Sequence, residues 1–139
     1  MNNQLKIFRK DKIKINGIIK KLNRTNTGLT QELPLKVIQF GEGNFLRAFV
    51  DYIIDKLNTD ANFNAGVAVV QPIAGGMVDI LNEQDGLYTL FMKGVKKGKE
   101  IQEKRLISSI QKGINPYIDY NAYLELAKER ILFFNLNYH

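Results

Sequence analysis

The chain has 139 residues, the usual size of one domain, and its 45% hydrophobic and 24% charged residues exclude a disordered or fibrous protein. The absence of cysteine excludes disulfides and thiolate nucleophiles, and no apolar stretch reaches the roughly 18 residues that span a membrane. The formal net charge of +6 is concentrated in residues 6–24 and 93–104, which we interpret as solvated surfaces. We therefore expect a cytoplasmic protein without membrane association. Nucleic-acid binding is the weaker alternative, because no nucleic-acid motif accompanies the lysines.

The first 35 residues are basic, polar and rich in turn formers toward residue 28. We interpret residues 1–35 as an N-terminal arm and predict one short helix around residues 13–22. After Pro34, residues 37–40 form a short β-favouring run with turn residues on both sides, which predicts a buried strand.

A βαβ unit is predicted next. Gly41-Glu42-Gly43 follows the strand, and residues 66–71 form a second continuous apolar run that Pro72 ends. The right-handed crossover rule makes the two strands parallel neighbours. Between them, apolar positions at spacings of three and four predict a helix with one buried face: Phe45, Leu46, Phe49, Val50, Ile53, Ile54 and Leu57.

The chain beyond the βαβ unit changes character. Residues 86–94 and 101–110 are β-rich and flank a lysine- and glycine-rich turn, which predicts an antiparallel hairpin. A short helix is predicted over residues 119–127, and residues 131–134 predict a final strand.

The turn between the first strand and the helix is the candidate site. A dinucleotide pyrophosphate needs close backbone approach, which Gly41 and Gly43 allow, and free N–H groups, which the first helical turn provides near Asn44 and Phe45. Leu46 replaces the third glycine of the common pattern, so a purely structural tight turn stays an equal alternative.

Two further side chains are candidates around this turn. Arg47, in the first helical turn, suits a phosphate but is also an ordinary surface residue. An acidic residue usually holds the adenosine ribose at the end of the second strand, yet this strand ends in Gln71 and no carboxylate follows until Asp79. Either Gln71 or the loop backbone takes that role, or the ribose is held less specifically, so the choice between NAD and NADP stays open.

Two strings carry a resemblance to a known family. QFGEGNFLRAFVD at residues 39–51 and QDGLYT at residues 84–89 resemble the mannitol dehydrogenase family of long-chain polyol dehydrogenases. Shorter stretches at residues 69–73 and 116–120 extend the resemblance over about residues 21–130.

The resemblance implies an α/β fold, with a Rossmann-like NAD-binding domain and a β-hairpin insertion over residues 36–139. It implies NAD as cofactor and reversible hydride transfer between NAD(H) and a sugar acid or polyol. The second string makes Asp85 a further candidate, the alternative being a turn that enters a strand. The cofactor-binding turn is implied to comprise Val37, Ile38, Gln39, Phe40, Gly41, Glu42, Gly43, Asn44, Phe45, Leu46, Arg47 and Ala48.

The sequence departs from the family at its C-terminal end. The family's second, helical domain supplies a catalytic lysine with neighbouring asparagine and histidine, and none of these is found here. We therefore predict no catalytic residue, expect His139 to be incidental, and expect Asp51 and Asp55 to be solvated rather than metal ligands.

We expect a domain truncated before completion by a premature stop or frameshift. It would bind NAD(H) but be inactive alone, with a sugar-acid substrate only in the full-length parent. Association with a separately encoded C-terminal domain would then supply the chemistry. The alternatives are a small basic binding module and a non-functional remnant with an uncovered apolar edge.

Overall fold

The computed structural model describes residues 5–7 and 11–136. His139 lies outside the described residues. The strands are, in chain order, β1 Leu5–Ile7, β2 Lys12–Ile15, β3 Ile18–Lys21, β4 Leu35–Phe40, β5 Gly66–Val70, β6 Tyr88–Lys96, β7 Lys99–Ile107, β8 Ile110–Ile114 and β9 Phe133–Leu136. The helices are α1 Arg24–Thr27, α2 Asn44–Ala48, α3 Val50–Ala61, α4 Val78–Glu83 and α5 Tyr120–Glu125, followed by a 3₁₀ turn at Leu126–Lys128.

A four-stranded parallel sheet with the order β8-β5-β4-β9 is the centre of the fold. The predicted βαβ unit is confirmed, because β4 and β5 are parallel neighbours on either side of α2 and α3 in the chain. The chain adds β5 and then β8 on one side of β4 and returns to the other side with β9. The predicted α/β architecture with a hairpin insertion is confirmed.

Strand β5 is buried on both faces, as is typical of a central strand in a parallel sheet, and this explains its continuous apolar run. Side chains alternate along the strand, so Val67 and Val69 pack with Ile54 of α3 on one face. Ala68 and Val70 contribute to the cluster on the opposite face, which contains Leu126 of the 3₁₀ turn.

The predicted helix at residues 13–22 is wrong. Residues 12–21 form the antiparallel strands β2 and β3, joined at Asn16-Gly17, where both residues have positive φ values of 49° and 85°. An Asn-Gly pair is the preferred type I′ hairpin turn, and this local signal determines the structure. The segment packs onto the remainder of the fold through buried Ile13, Leu22 and Leu87.

The predicted hairpin is confirmed as the antiparallel pair β6–β7, which turns at Lys97-Gly98. Strand β8 was missed, because its central residues are polar or glycine, yet it pairs in parallel with β5. The final strand starts at Phe133, two residues later than predicted, and it pairs with β4.

The predicted helix beyond the glycine turn is present, but it is interrupted at Phe49 and only part of its apolar set is buried. Leu46 and Ile54 are buried. The other apolar stripe points outward, with exposed side chains at every fourth position: Phe45, Phe49, Ile53 and Leu57.

The expectation that Asp51 and Asp55 are solvated is also wrong, since both are buried on α3. Asp55 accepts hydrogen bonds from the backbone N–H of Ser108 at 2.8 Å and from Arg105 Nε at 2.9 Å. Its Oδ2 also lies 2.8 Å from Arg105 Nη2. This carboxylate therefore connects α3 to the end of the hairpin, where the chain enters the parallel sheet.

Replacing Asp55 by alanine should lower the free energy of unfolding by about 2–4 kcal/mol, because a largely buried ion pair loses one partner. Asp60→Ala is the matched control on the same helix, since Asp60 pairs with Lys56 at the surface. The control should change stability by less than about 0.5 kcal/mol. Urea unfolding of both variants measures the difference, and equal effects would contradict a structural role for the buried pair.

Candidate functional site

The glycine turn leaves β4 at the carboxyl end of the parallel sheet. Gly41 has φ +123°, a left-handed conformation that favours glycine, and its N–H donates to the carbonyl oxygen of Val70 at 3.0 Å. This hydrogen bond ties the start of the turn to the end of β5. The turn therefore lies at the edge of the sheet where α/β folds bind ligands.

The first turn of α2 is open to an anion. Gly43 is the N-cap residue, and no side chain of the described residues caps the helix with a hydrogen bond. A Cβ added to Gly43 would have no heavy atom of this part of the chain within 4 Å, so the position faces open space there. The N–H groups of Asn44, Phe45 and Leu46 are first-turn donors that an intrahelical carbonyl cannot satisfy. The turn thus fits a diphosphate, which needs close backbone approach and free donors.

Buried polar side chains form hydrogen bonds that hold the glycine turn in place. Gln39 Nε2 donates to the carbonyl oxygen of Gly41 at 3.0 Å and to Asp51 Oδ2 at 3.2 Å. Both side chains are fully buried. Burial raises the pKa of Asp51 to about 7, against the opposing effect of the Gln39 hydrogen bond. A lone carboxylate on a helix gives no signal of its tertiary partners, so the sequence did not predict the hydrogen bond between Asp51 and Gln39.

The side chain of Arg47 contacts two residues near the glycine turn. Its Nη2 donates to Asn44 Oδ1 at 2.8 Å, and its guanidinium lies 5.5 Å from the ring centroid of Tyr88. Its Nε is buried without a hydrogen-bond partner among the described residues. Contact between Arg47 and a phosphate stays a prediction.

Gln71 is buried, and its amide is committed to the segment that follows β5. Its Nε2 donates to the carbonyl oxygens of Ile73 and Ala74 at 2.8 and 3.0 Å, and its Oε1 accepts from the N–H of Val78 at 3.3 Å. These contacts attach Ile73, Ala74 and Val78 to the end of β5. Of the two ribose-binding candidates named from the sequence, the loop backbone is therefore the more accessible.

Asp85 forms part of the turn that precedes β6. Its Oδ2 accepts from the backbone N–H of Arg24 at 2.9 Å, and its carbonyl oxygen accepts from Arg24 Nε at 3.0 Å. The next residue, Gly86, has φ +76°, and a Cβ there would lie 2.3 Å from the carbonyl oxygen of Ile110. The Asp-Gly motif thus joins the N-terminal segment to the sheet, and a cofactor contact by Asp85 stays a prediction.

Asp51 makes stability depend on pH. The pKa of an unfolded aspartate is about 3.9, whereas burial raises it to about 7 in the fold. From about pH 4 to pH 7 the native state retains a proton that the unfolded chain releases. Asp51 therefore makes its full contribution to the free energy of unfolding below about pH 4. This contribution is lost as the pH rises toward 7, and the free energy of unfolding falls by up to roughly 1.4 kcal/mol per pH unit.

We expect Asp51→Asn to remove this slope and to be more stable than the unsubstituted chain at pH 8, because the asparagine oxygen still accepts from Gln39. Asp79→Asn, at an exposed position on α4, is the control and should keep the slope. Urea unfolding at several pH values from 4.5 to 8 gives the result. A slope unchanged in the Asp51 variant would show that other groups determine the pH dependence.

Comparisons with known proteins cover most of the chain. Residues 35–130 match the family described as the mannitol dehydrogenase Rossmann domain. The altronate oxidoreductase of Bacillus subtilis (strain 168) is 50% identical over 116 residues, which are 83% of this chain and 24% of that protein. That of Phocaeicola vulgatus is 46% identical over 111 residues, 80% of this chain and 23% of that protein. The chain thus spans about a quarter of the length of these relatives.

Solved structures share the fold. A Pseudomonas fluorescens mannitol 2-dehydrogenase, in a ternary complex with NAD and D-mannitol, superposes with a TM-score of 0.68 at 22% identity, over 84% of this chain and 26% of that chain. A substrate-free D-sorbitol dehydrogenase gives a TM-score of 0.62 at 20% identity, over 76% of this chain and 22% of that chain. The family match, the relatives and the shared fold lead to one conclusion: this chain belongs to the mannitol dehydrogenase family and has its Rossmann-like domain.

Proposed function

We propose that the chain is the NAD-binding part of a cytoplasmic, altronate oxidoreductase-like dehydrogenase. The complete enzyme would transfer a hydride from NADH to the carbonyl carbon of tagaturonate, with a proton to its oxygen, and would form altronate and NAD⁺. The chain by itself would bind the cofactor without turning over the sugar acid.

The observation that carries this proposal is the open glycine turn. Gly43 presents unfilled space, and the uncapped first turn of α2 presents backbone donors at the same point. Close backbone approach and free first-turn donors are the two features that a bound diphosphate requires. The Pseudomonas fluorescens mannitol 2-dehydrogenase, whose structure is a ternary complex with NAD and D-mannitol, supports this assignment.

The strand order supports the same location. The sheet is built outward from β4 in two directions, first through β5 and later through β9. In such a sheet a dinucleotide binds at the carboxyl ends of the strands, at the point where the strand order changes direction. The reversal lies at β4, immediately before the glycine turn, so the adenosine half would extend over β5 and the nicotinamide half toward β9.

Gly43→Val should weaken NADH binding at least about tenfold, since the added side chain would occupy the space that a diphosphate needs. Its φ of −66° suits valine, so the fold should be retained. Gly94→Val is the control on β6, where an added Cβ first meets an atom at 4.0 Å. Titration followed by nicotinamide fluorescence gives the affinities, and circular dichroism checks the fold.

Equal NADH affinity in both valine variants would remove the turn from the binding site. If the unsubstituted chain fails to bind NADH but binds DNA in a salt-sensitive manner, the basic binding module is the better assignment. The exposed lysines of the β6–β7 hairpin would then be the first residues to test.

We further propose that a polypeptide equivalent to the remainder of the curated relatives completes the enzyme. Among the described residues, β9 is the outermost strand on its side of the sheet. Its side chains Phe133, Phe134 and Leu136 are exposed. An apolar edge strand of this kind is a template for a further strand. The groove beside it, which Ile38 and Leu126 help to line, would receive the connecting helix.

The polypeptide that follows the matched region in the Bacillus subtilis relative is the partner to test. We expect it to co-elute with this chain and to restore NADH oxidation with tagaturonate. Phe134→Glu should weaken the association at least about tenfold, because the charge would be buried in an apolar contact. Val95→Glu, at an exposed position on the hairpin, is the control. Absence of a complex at micromolar concentrations would contradict this part of the proposal.

A further inference from the structure

Glu42, between the two glycines of the turn, has a buried carboxylate that the fold uses only in part. The side chain is 8% exposed. Its Oε1 accepts a hydrogen bond from the backbone N–H of Met77 at 3.1 Å. Its Oε2 is buried and has no hydrogen-bond partner among the described residues. An unsatisfied buried acceptor is costly, so this oxygen is the atom in the turn that most needs an external donor.

The carboxylate lies against the segment that follows β5. A Cβ added to Gly76 would lie 2.3 Å from Glu42 Oε1 and 2.6 Å from Gln71 Oε1, so the loop passes directly over both side chains. The amide of Gln71 is already committed to Ile73, Ala74 and Val78. Of these two side chains, Glu42 is therefore the one with an acceptor, Oε2, that has no partner among the described residues.

Dinucleotide-binding folds usually place an acidic residue at this position to accept a hydrogen bond from the adenosine ribose 2′-hydroxyl. In this sequence β5 is followed by Gln71-Pro72, and no carboxylate occurs before Asp79. The structure brings a carboxylate to the same place from a different element, namely the glycine turn after β4.

We propose that Glu42 holds the adenosine ribose and selects NAD over NADP, an inference that rests on the proposed function. Oε2 accepts the hydrogen bond of the ribose 2′-hydroxyl, while the negative charge repels the 2′-phosphate of NADP. Because Oε2 is buried, the ribose has to displace part of the exposed segment 72–77 to reach it.

Equilibrium titrations of the 139-residue chain with NADH, NADPH and NADH lacking the adenosine 2′-hydroxyl test the proposal. The variant is Glu42→Gln, which keeps the side-chain volume and an oxygen for the Met77 N–H but removes the charge. Glu83→Gln on α4 is the control, since Glu83 forms only an exposed ion pair with Lys21. Thermal unfolding followed by circular dichroism verifies the fold of each variant.

We expect the unsubstituted chain to bind NADH at least about tenfold more tightly than NADPH, and Glu42→Gln to reduce that ratio at least about tenfold. Loss of the 2′-hydroxyl should weaken binding to the unsubstituted chain about tenfold and to the variant by a smaller factor, because the glutamine amide offers a neutral hydrogen bond in place of a charged one. Glu83→Gln should keep both the preference for NADH over NADPH and the weaker binding of the analogue that lacks the 2′-hydroxyl.

An unchanged NADH-to-NADPH ratio in Glu42→Gln, with NADH still bound, would overturn the role of Glu42 and leave the proposed function intact. If the variant does not fold, the unsubstituted chain decides: equal affinity for NADH and its 2′-deoxy analogue overturns the proposal. Failure of the unsubstituted chain to bind NADH would refute the proposed function, and this inference with it.

Discussion

The hydrogen-bonded chain from Asp51 through Gln39 to the carbonyl oxygen of Gly41 fixes the glycine turn on the sheet. Gly41 must adopt a left-handed backbone conformation, and a turn without support would sample others. The amide of Gln39 restrains it from the strand side, while the N–H of Gly41 is held by Val70. The donors of α2 are consequently presented in one orientation, which is the preorganisation that a diphosphate site requires.

Helix α3 is the element on which several parts of the fold converge. Its two buried carboxylates face different partners, with Asp51 directed to the glycine turn and Asp55 to Arg105 and Ser108 at the base of the hairpin. The β6–β7 insertion is thus anchored by charge and hydrogen bonds in addition to apolar packing. Buried polar groups of this kind constrain geometry, since each is costly unless its partner stands at the right place.

Among the described residues, exposed apolar side chains lie on β9 and along the outer stripe of α2 and α3, of which Phe45 and Phe49 are part. Neither is explained by the core clusters. The chain spans about a quarter of the length of its curated relatives. The Phe45–Phe49 stripe begins two residues after Gly43, directly beyond the glycine turn.

Local patterns in the sequence determined β4, the glycine turn, β5 and the hairpin, because continuous apolar runs and glycine turns need no distant partner to be recognised. Periodicity alone cannot decide which of two apolar stripes faces the sheet, so the exposure of Phe45 and Phe49 followed only from tertiary packing. The burial of Asp55 depends on Ser108, 53 residues away in sequence. Likewise, the carboxylate of Glu42 reaches the end of β5 only because the fold brings Met77, 35 residues later, back over the turn.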